Sequence, residues 1–230
     1  MKLEKVTNND RKADKRWYDD ACGTALAMEL VGERWSLLIV RELMFGPRRF
    51  GELRGGLPGI SANVLTQRLE GMEEVGILVR RKLPPPANVQ VYELTPWGYQ
   101  SETAIQELGR WAVRSRRHDP TLPLSAAAIM MSFRTMIDRS RSGERPMQVG
   151  FDIAPDAFVA AIDAHGIAVR RAQPDSVDLR LAAQPPVLAA IVYGGLPVAA
   201  AERDGALAVT GDRGLLAHFV TLFPLPPKTG

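Results

Sequence analysis

Between residues 19 and 117 the spacing of apolar positions changes several times, and each change predicts a new element. Ala21, Leu26, Leu30 and Val31 predict a helix over 19–31. In GERWSLLIVRELMFG, Trp35, Leu38, Ile39 and Leu43 recur at helical spacing, and Gly46-Pro47 stops the run. Phe50, Leu53 and Leu57 form the apolar edge of a short segment. In GISANVLTQRLEGMEEVGIL, Leu65, Leu69 and Met72 stand at i, i+4 and i+7, Ser61 is a good N-cap and Gly76 a stop. ILVRRKL and NVQVYEL alternate on either side of PPPA, which predicts a hairpin. Thr95-Pro96 opens a further helix that is expected to reach residue 117.

The pattern then breaks. HDPTLPLS (118–125) reads as a linker. Beyond it, AAAIMMSFRTMID predicts a helix, PMQVGFDI a strand, and AFVAAIDAHGIAVRRA a hairpin turning at His165-Gly166. SVDLRLAA alternates, with Val177, Leu179 and Leu181 on one face. PPVLAAIVYGG reads as a helix, ALAVTGD as a strand and DRGLLAHFVTLF as a helix ended by Pro224. The expected organisation is an arm over 1–18, a first domain over 19–117, the linker, and a second domain over 126–230. The fold class is α+β.

Charge sharpens the picture. Residues 1–120 hold 19 Lys and Arg against 16 Asp and Glu, and residues 121–230 hold 10 against 10, so the whole formal excess of +3 lies in the first half. That half is the candidate for a polyanionic partner. The N-terminus is charged and has no apolar core, and the uncharged stretch Leu181–Ala201 is broken by prolines and glycines. A cytoplasmic chain that neither enters nor binds a membrane is expected. The lone Cys22 allows no intrachain disulfide. His118, His165 and His218 are scattered, and there is no metal-ligand spacing, nucleophile elbow or phosphate loop. No catalytic residue, metal or cofactor is therefore expected, and the chain is not read as an enzyme.

Three helices followed by a hairpin form a winged helix-turn-helix, in which the third helix enters the major groove of double-stranded DNA by its N-terminal end. Here that end carries Ser61, Asn63, Thr66, Gln67 and Arg68, while Glu70, Glu73 and Glu74 are confined to the far half. Asn and Gln pair with adenine and Arg with guanine. Arg48, Arg49, Arg54, Arg80, Arg81 and Lys82 flank the helix and are expected to neutralise phosphates. Two-fold pairing would place a second such helix about 34 Å away. Leu108, Trp111 and Val113 are available for that homodimer.

Residues 22–111 resemble the HxlR-type winged-helix transcriptional regulators, relatives of the MarR group. Cys22, GERWSLLIVRELMFGPRRFGELRGGLPGISANVLTQRLEGMEEVGIL and VYELTPWG carry the resemblance. It implies a dimeric, sequence-specific DNA-binding protein with its recognition helix at Ser61–Val75 and its wing at Ile77–Leu94. One departure is Asn88-Val89, where family members often carry a basic residue. Cys22 falls where several members place a cysteine that senses oxidants or electrophiles. A helix start favours the thiolate there, whereas Asp19 and Asp20 oppose it. A buried apolar role at the dimer interface is the alternative.

The segment DLRLAAQPPVLAAIVYGGLPVAAAERDGALAVTGDRGLLAHFVTLFPLP resembles the sterol-carrier-protein (SCP-type) domain, which implies a mixed α/β fold around an apolar cavity. Met131, Phe133, Ile137, Phe151, Phe158, Ile162, Leu188, Ile191, Phe219 and Phe223 are the candidate lining for a hydrophobic small-molecule or lipid effector. Ordinary core packing is the alternative for each. The leading reading is an effector-responsive transcription factor. The competing one is a lipid or hydrophobe carrier module.

Overall fold

A computed structural model describes residues 18–229. Apart from Tyr18, the expected N-terminal arm lies outside the described residues. The first half runs α1 (Gly23–Val31), α2 (Ser36–Leu43), α3 (Phe50–Gly56), α4 (Ala62–Glu74), β1 (Leu78–Lys82), β2 (Gln90–Leu94), α5 (Pro96–Gln100) and α6 (Glu102–Ala112). The β1–β2 hairpin is antiparallel, in register from Leu78↔Leu94 to Lys82↔Gln90.

Local chemistry accounts for α4. Ser61 Oγ accepts a hydrogen bond from the Val64 N–H at 3.2 Å. Leu65, Leu69 and Met72 are buried. The chain then leaves through Gly76, whose φ of +77° a side chain would disfavour. The single helix expected over 96–117 is instead two. Thr95 caps α5, its Oγ1 accepting from the Gly98 N–H at 3.0 Å. At Ser101 the hydroxyl donates to the Gly98 carbonyl at 2.7 Å, the kind of local side-chain bond that competes with the helix ladder.

The second half runs α7 (Ala126–Met136), β3 (Met147–Ile153), β4 (Asp156–Asp163), β5 (Gly166–Arg171), β6 (Leu179–Ala183), α8 (Pro185–Gly194), α9 (Val198–Arg203), β7 (Leu207–Gly211) and α10 (Arg213–Phe219). It is a mixed α/β unit. Its five strands lie in the order β5-β4-β3-β6-β7, and only the β3–β6 pair is parallel. Phe133 of α7 meets Phe151, Phe219 and Phe223 at ring-centroid distances of 5.8, 5.5 and 4.7 Å.

The two halves share one continuous apolar core, running from Ile39 and Leu43 through Ile129 and Met130 to Phe219. α7 packs on both α2 and α6. Polar groups stitch the same seam. Glu42 on α2 is 2% exposed and accepts from Arg41 at 2.8 Å and from Ser125 Oγ at 2.7 Å. Ser125 also caps α7 by accepting from the Ala128 N–H. A buried carboxylate is tolerated only with such partners.

Candidate nucleic-acid interface

The exposed face of α4 carries Ser61, Asn63, Thr66 and Gln67 at its N-terminal end. Ser61 is occupied as the cap. The Asn63 and Gln67 side chains stand one turn apart and have no hydrogen-bond partner among the described residues. Their amide groups are free for an external partner.

The flanking cations other than Arg48 fall into two groups. Arg49, Arg54 and Lys82 are exposed and carry no ion pair among the described residues. Arg80 and Arg81 are exposed but paired, Arg80 with Glu73 at 2.8 Å and Arg81 with Glu93 at 2.6 Å. Exposed pairs of this kind are weakened by solvent screening, so a phosphate can displace the carboxylate. Glu73, Arg80, Arg81, Lys82, Asn88 and Gln90 line a concavity of about 580 Å³ between the end of α4 and the wing. The sequence did not single out Gln90 for it. Its place opposite Lys82 in the register is the signal.

Two expected contacts are corrected. Arg48 is 9% exposed and forms a two-pronged pair with Asp156, at 2.7 and 3.0 Å. It is spent inside the molecule and does not face a phosphate. Arg68 is half-buried. Its Nε donates to the Arg34 carbonyl at 3.1 Å and its Nη2 to Glu33 at 2.7 Å. These bonds tie α4 to the turn before α2 and remove Arg68 from the free base-reading set.

Cys22 is exposed at the N-cap position of α1. The neighbouring polar groups of Thr24, backbone and side chain, and the Ala25 backbone hold its thiol below the ordinary value. Asp20 takes the Cys22 N–H at 2.8 Å.

The expected effector cavity is also corrected. Phe133, Phe151, Phe158, Phe219 and Phe223 are fully buried and pack largely on one another. Met131, Ile137, Ile162, Leu188 and Ile191 belong to or pack against the same core. The void beside Leu188, Ile191 and Phe219 is about 10 Å³, no more than roughly a single water requires. The open apolar space lies elsewhere, as a groove of about 400 Å³ between α2, α6 and α7, lined by Leu38, Leu108, Ala112, Ala128, Met131 and Met136 among others. Of the ten expected lining residues, only Met131 reaches it.

Among the described residues no cluster of His, Cys, Asp or Glu has the arrangement to hold a metal ion. No helix there is long and apolar enough to cross a membrane.

Comparison with known proteins points to the same half of the chain. The model of the HxlR-like helix-turn-helix family matches residues 30–119. The HTH-type transcriptional regulator YodB of Bacillus subtilis (strain 168) is 38% identical over 86 residues, covering 37% of this chain and 77% of that protein. The uncharacterised HTH-type transcriptional regulator Rv3095 of Mycobacterium tuberculosis (strain ATCC 25618 / H37Rv) is 45% identical over 96 residues, 42% of this chain and 59% of its own length. The crystal structure of the quinone-bound YodB from B. subtilis is similar at 34% identity over 40% of this chain and 96% of that one, with a TM-score of 0.35. Three helices, a wing and a matched stretch that includes all of them lead to one assignment: the chain belongs to the HxlR-like helix-turn-helix family.

Proposed function

We propose that this chain is a sequence-specific transcriptional regulator that binds double-stranded DNA as a homodimer in the cytoplasm. α4 is its recognition helix, Asn63 and Gln67 read base edges, and Thr66, Arg49, Arg80, Arg81 and Lys82 hold the backbone. The observation that carries this reading is the pair of unpartnered amides at the N-terminal end of α4. Its test is selection of a duplex from a random library by the full-length chain, followed by Asn63→Ala and Gln67→Ala. Each substitution should relax base preference at one position, by about 1–3 kcal/mol. Undiminished preference in both variants would remove α4 from the role.

The dimer reading rests on α1 and α6. Neither buries a residue in the monomer, yet Leu26, Met28, Leu108 and Trp111 are exposed on them. Unpartnered apolar faces of this kind call for a second protein surface.

For an effector, the groove between α2, α6 and α7 replaces the cavity expected deeper in the second half. Its lining favours a small uncharged hydrophobe. The sterol-carrier-like identity of the second half is likewise a proposal, supported by a mixed sheet with helices packed against it. A quinone bound to a relative, together with the exposed, acidified Cys22, supports an electrophile as a second effector class. There the Cys22 thiolate would add to a ring carbon of the quinone, and the ring would take up a proton as it becomes the hydroquinone.

A further inference from the structure

The turn between α2 and α3 is held from two sides. On one side the Arg48 backbone pairs with the wing: its N–H donates to the Tyr92 carbonyl at 2.9 Å, and its carbonyl accepts from the Tyr92 N–H at 2.8 Å. Tyr92 pairs with Arg80 across its other edge, so Arg48 adds a one-residue third strand to the wing. On the other side the Arg48 guanidinium grips Asp156, the first residue of β4 in the five-stranded sheet.

The grip is shared. Arg171, at the end of β5, brings its Nε to 3.1 Å from the same carboxylate and donates from Nη1 to the Phe45 carbonyl at 3.3 Å. Its guanidinium lies over the Phe158 ring at 5.0 Å, and Phe158 meets Phe45 edge-on at 5.6 Å. Arg48 Nε, Arg171 Nε and Arg171 Nη2 are buried without a hydrogen-bond partner. One buried and one half-buried cation therefore lean on one carboxylate, with Glu52 3.7 Å from Arg48 Nε and the Glu42 charge also acting on Arg171. Burial, and next the Arg48 charge, pull the Arg171 pKa down, while Asp156 opposes them.

We propose that Asp156 is a positioning residue for DNA binding, fixing the wing through Arg48 although it touches no DNA itself. The second half of the chain is thereby part of the DNA-binding apparatus. A carboxylate lost from this point leaves two like charges facing each other in a poorly hydrated site, and the turn that carries the third wing strand must shift. This rests on the reading of α4 and the wing as the DNA surface.

The experiment uses the full chain and a duplex of about 30 base pairs selected by it from a random library, long enough for half-sites one ~34 Å turn apart. Affinity is measured against salt for the unchanged protein, Asp156→Asn and Asp156→Ala, all well below their melting temperatures. The expected result is an affinity about tenfold lower and a flatter salt dependence, as for one or two misplaced phosphate contacts, with base preference kept. Asp156→Ala is at risk of not folding. The triple variant Arg48→Met/Asp156→Leu/Arg171→Met then carries the test, because it removes both cations together with their shared anion, and it should fold yet show the same flattened salt dependence. Folded variants that bind as the unchanged chain does would overturn the positioning role alone. An unchanged chain that selects no duplex would overturn the DNA-binding reading beneath it.

Discussion

Arg68 on α4 is bonded to Glu33, Nη2 to Oε2 at 2.7 Å, across the corner where α1 turns into α2. The pair fixes the angle at which α4 leaves the body. Arg68→Ala should accordingly lower stability by about 0.2–1 kcal/mol, the range of an ion pair that solvent still reaches. Base preference at the selected site should stay unchanged. Urea denaturation and competition binding check the two halves of this expectation, and a relaxed guanine preference would reinstate Arg68 as a base reader.

Arg48 and Lys82 look alike in sequence but sit in opposite environments, one locked on Asp156 and the other exposed. Lys82→Ala, like Arg49→Ala, should weaken binding to all sequences and reduce the slope of log affinity against log salt by about 1. Arg48→Ala should instead destabilise the fold, by less than the ~3–5 kcal/mol of a buried pair broken outright, since Arg171 stays 3.1 Å from the Asp156 carboxylate. Salt titrations and denaturant melts on the same three variants separate these outcomes.

Phe133 is fully buried against three other phenylalanines. Phe133→Ala should cost about 3–5 kcal/mol in equilibrium unfolding, the penalty of an aromatic truncated in a packed core. A near-neutral result would mean that the ring faces open space, as a ligand cavity would require.

Trp111 is 72% exposed on α6. If α6 forms the homodimer face, Trp111→Lys should yield a folded monomer in sedimentation equilibrium at concentrations where the unchanged chain is dimeric. Dimers that persist would place the contact on another surface.

Cys22 carries a pH dependence of definite sign. Thr24 and Ala25 stabilise the thiolate, so the folded pKa lies below the ordinary thiol value and reactivity, which grows with rising pH, sets in at a lower pH than for a free thiol. Alkylation by iodoacetamide should reach half its limiting rate below the pH found for a free thiol. Thr24→Val, which removes the hydroxyl beside the thiol, should move that midpoint upward. A midpoint at the free-thiol value in the unchanged chain would contradict the arrangement.

Helix α4 was legible in the sequence because its determinants are local. The Ser61 cap, the Leu65–Leu69–Met72 stripe and the Gly76 exit all lie within one 16-residue window. Arg48 was misread because its partner is 108 residues away, and nothing in GPRRFGEL distinguishes a buried arginine from a solvated one. Arg68 failed for the same reason at shorter range, its partner Glu33 lying 35 residues back. The phenylalanines of the second half were correctly seen as apolar. Whether such side chains enclose space or fill it depends on how rings from α7, β3 and α10 interlock, which no spacing along the chain encodes.

The continuous core has a consequence for any attempt to divide the chain. Cleavage within residues 118–125 would sever the backbone at the surface and leave the packing of α7 on α2 and α6 intact. Producing either piece without the other is a different matter. One piece would present the apolar sides of α2 and α6 to water, the other that of α7, and each would be prone to self-association through the surface its missing counterpart covers.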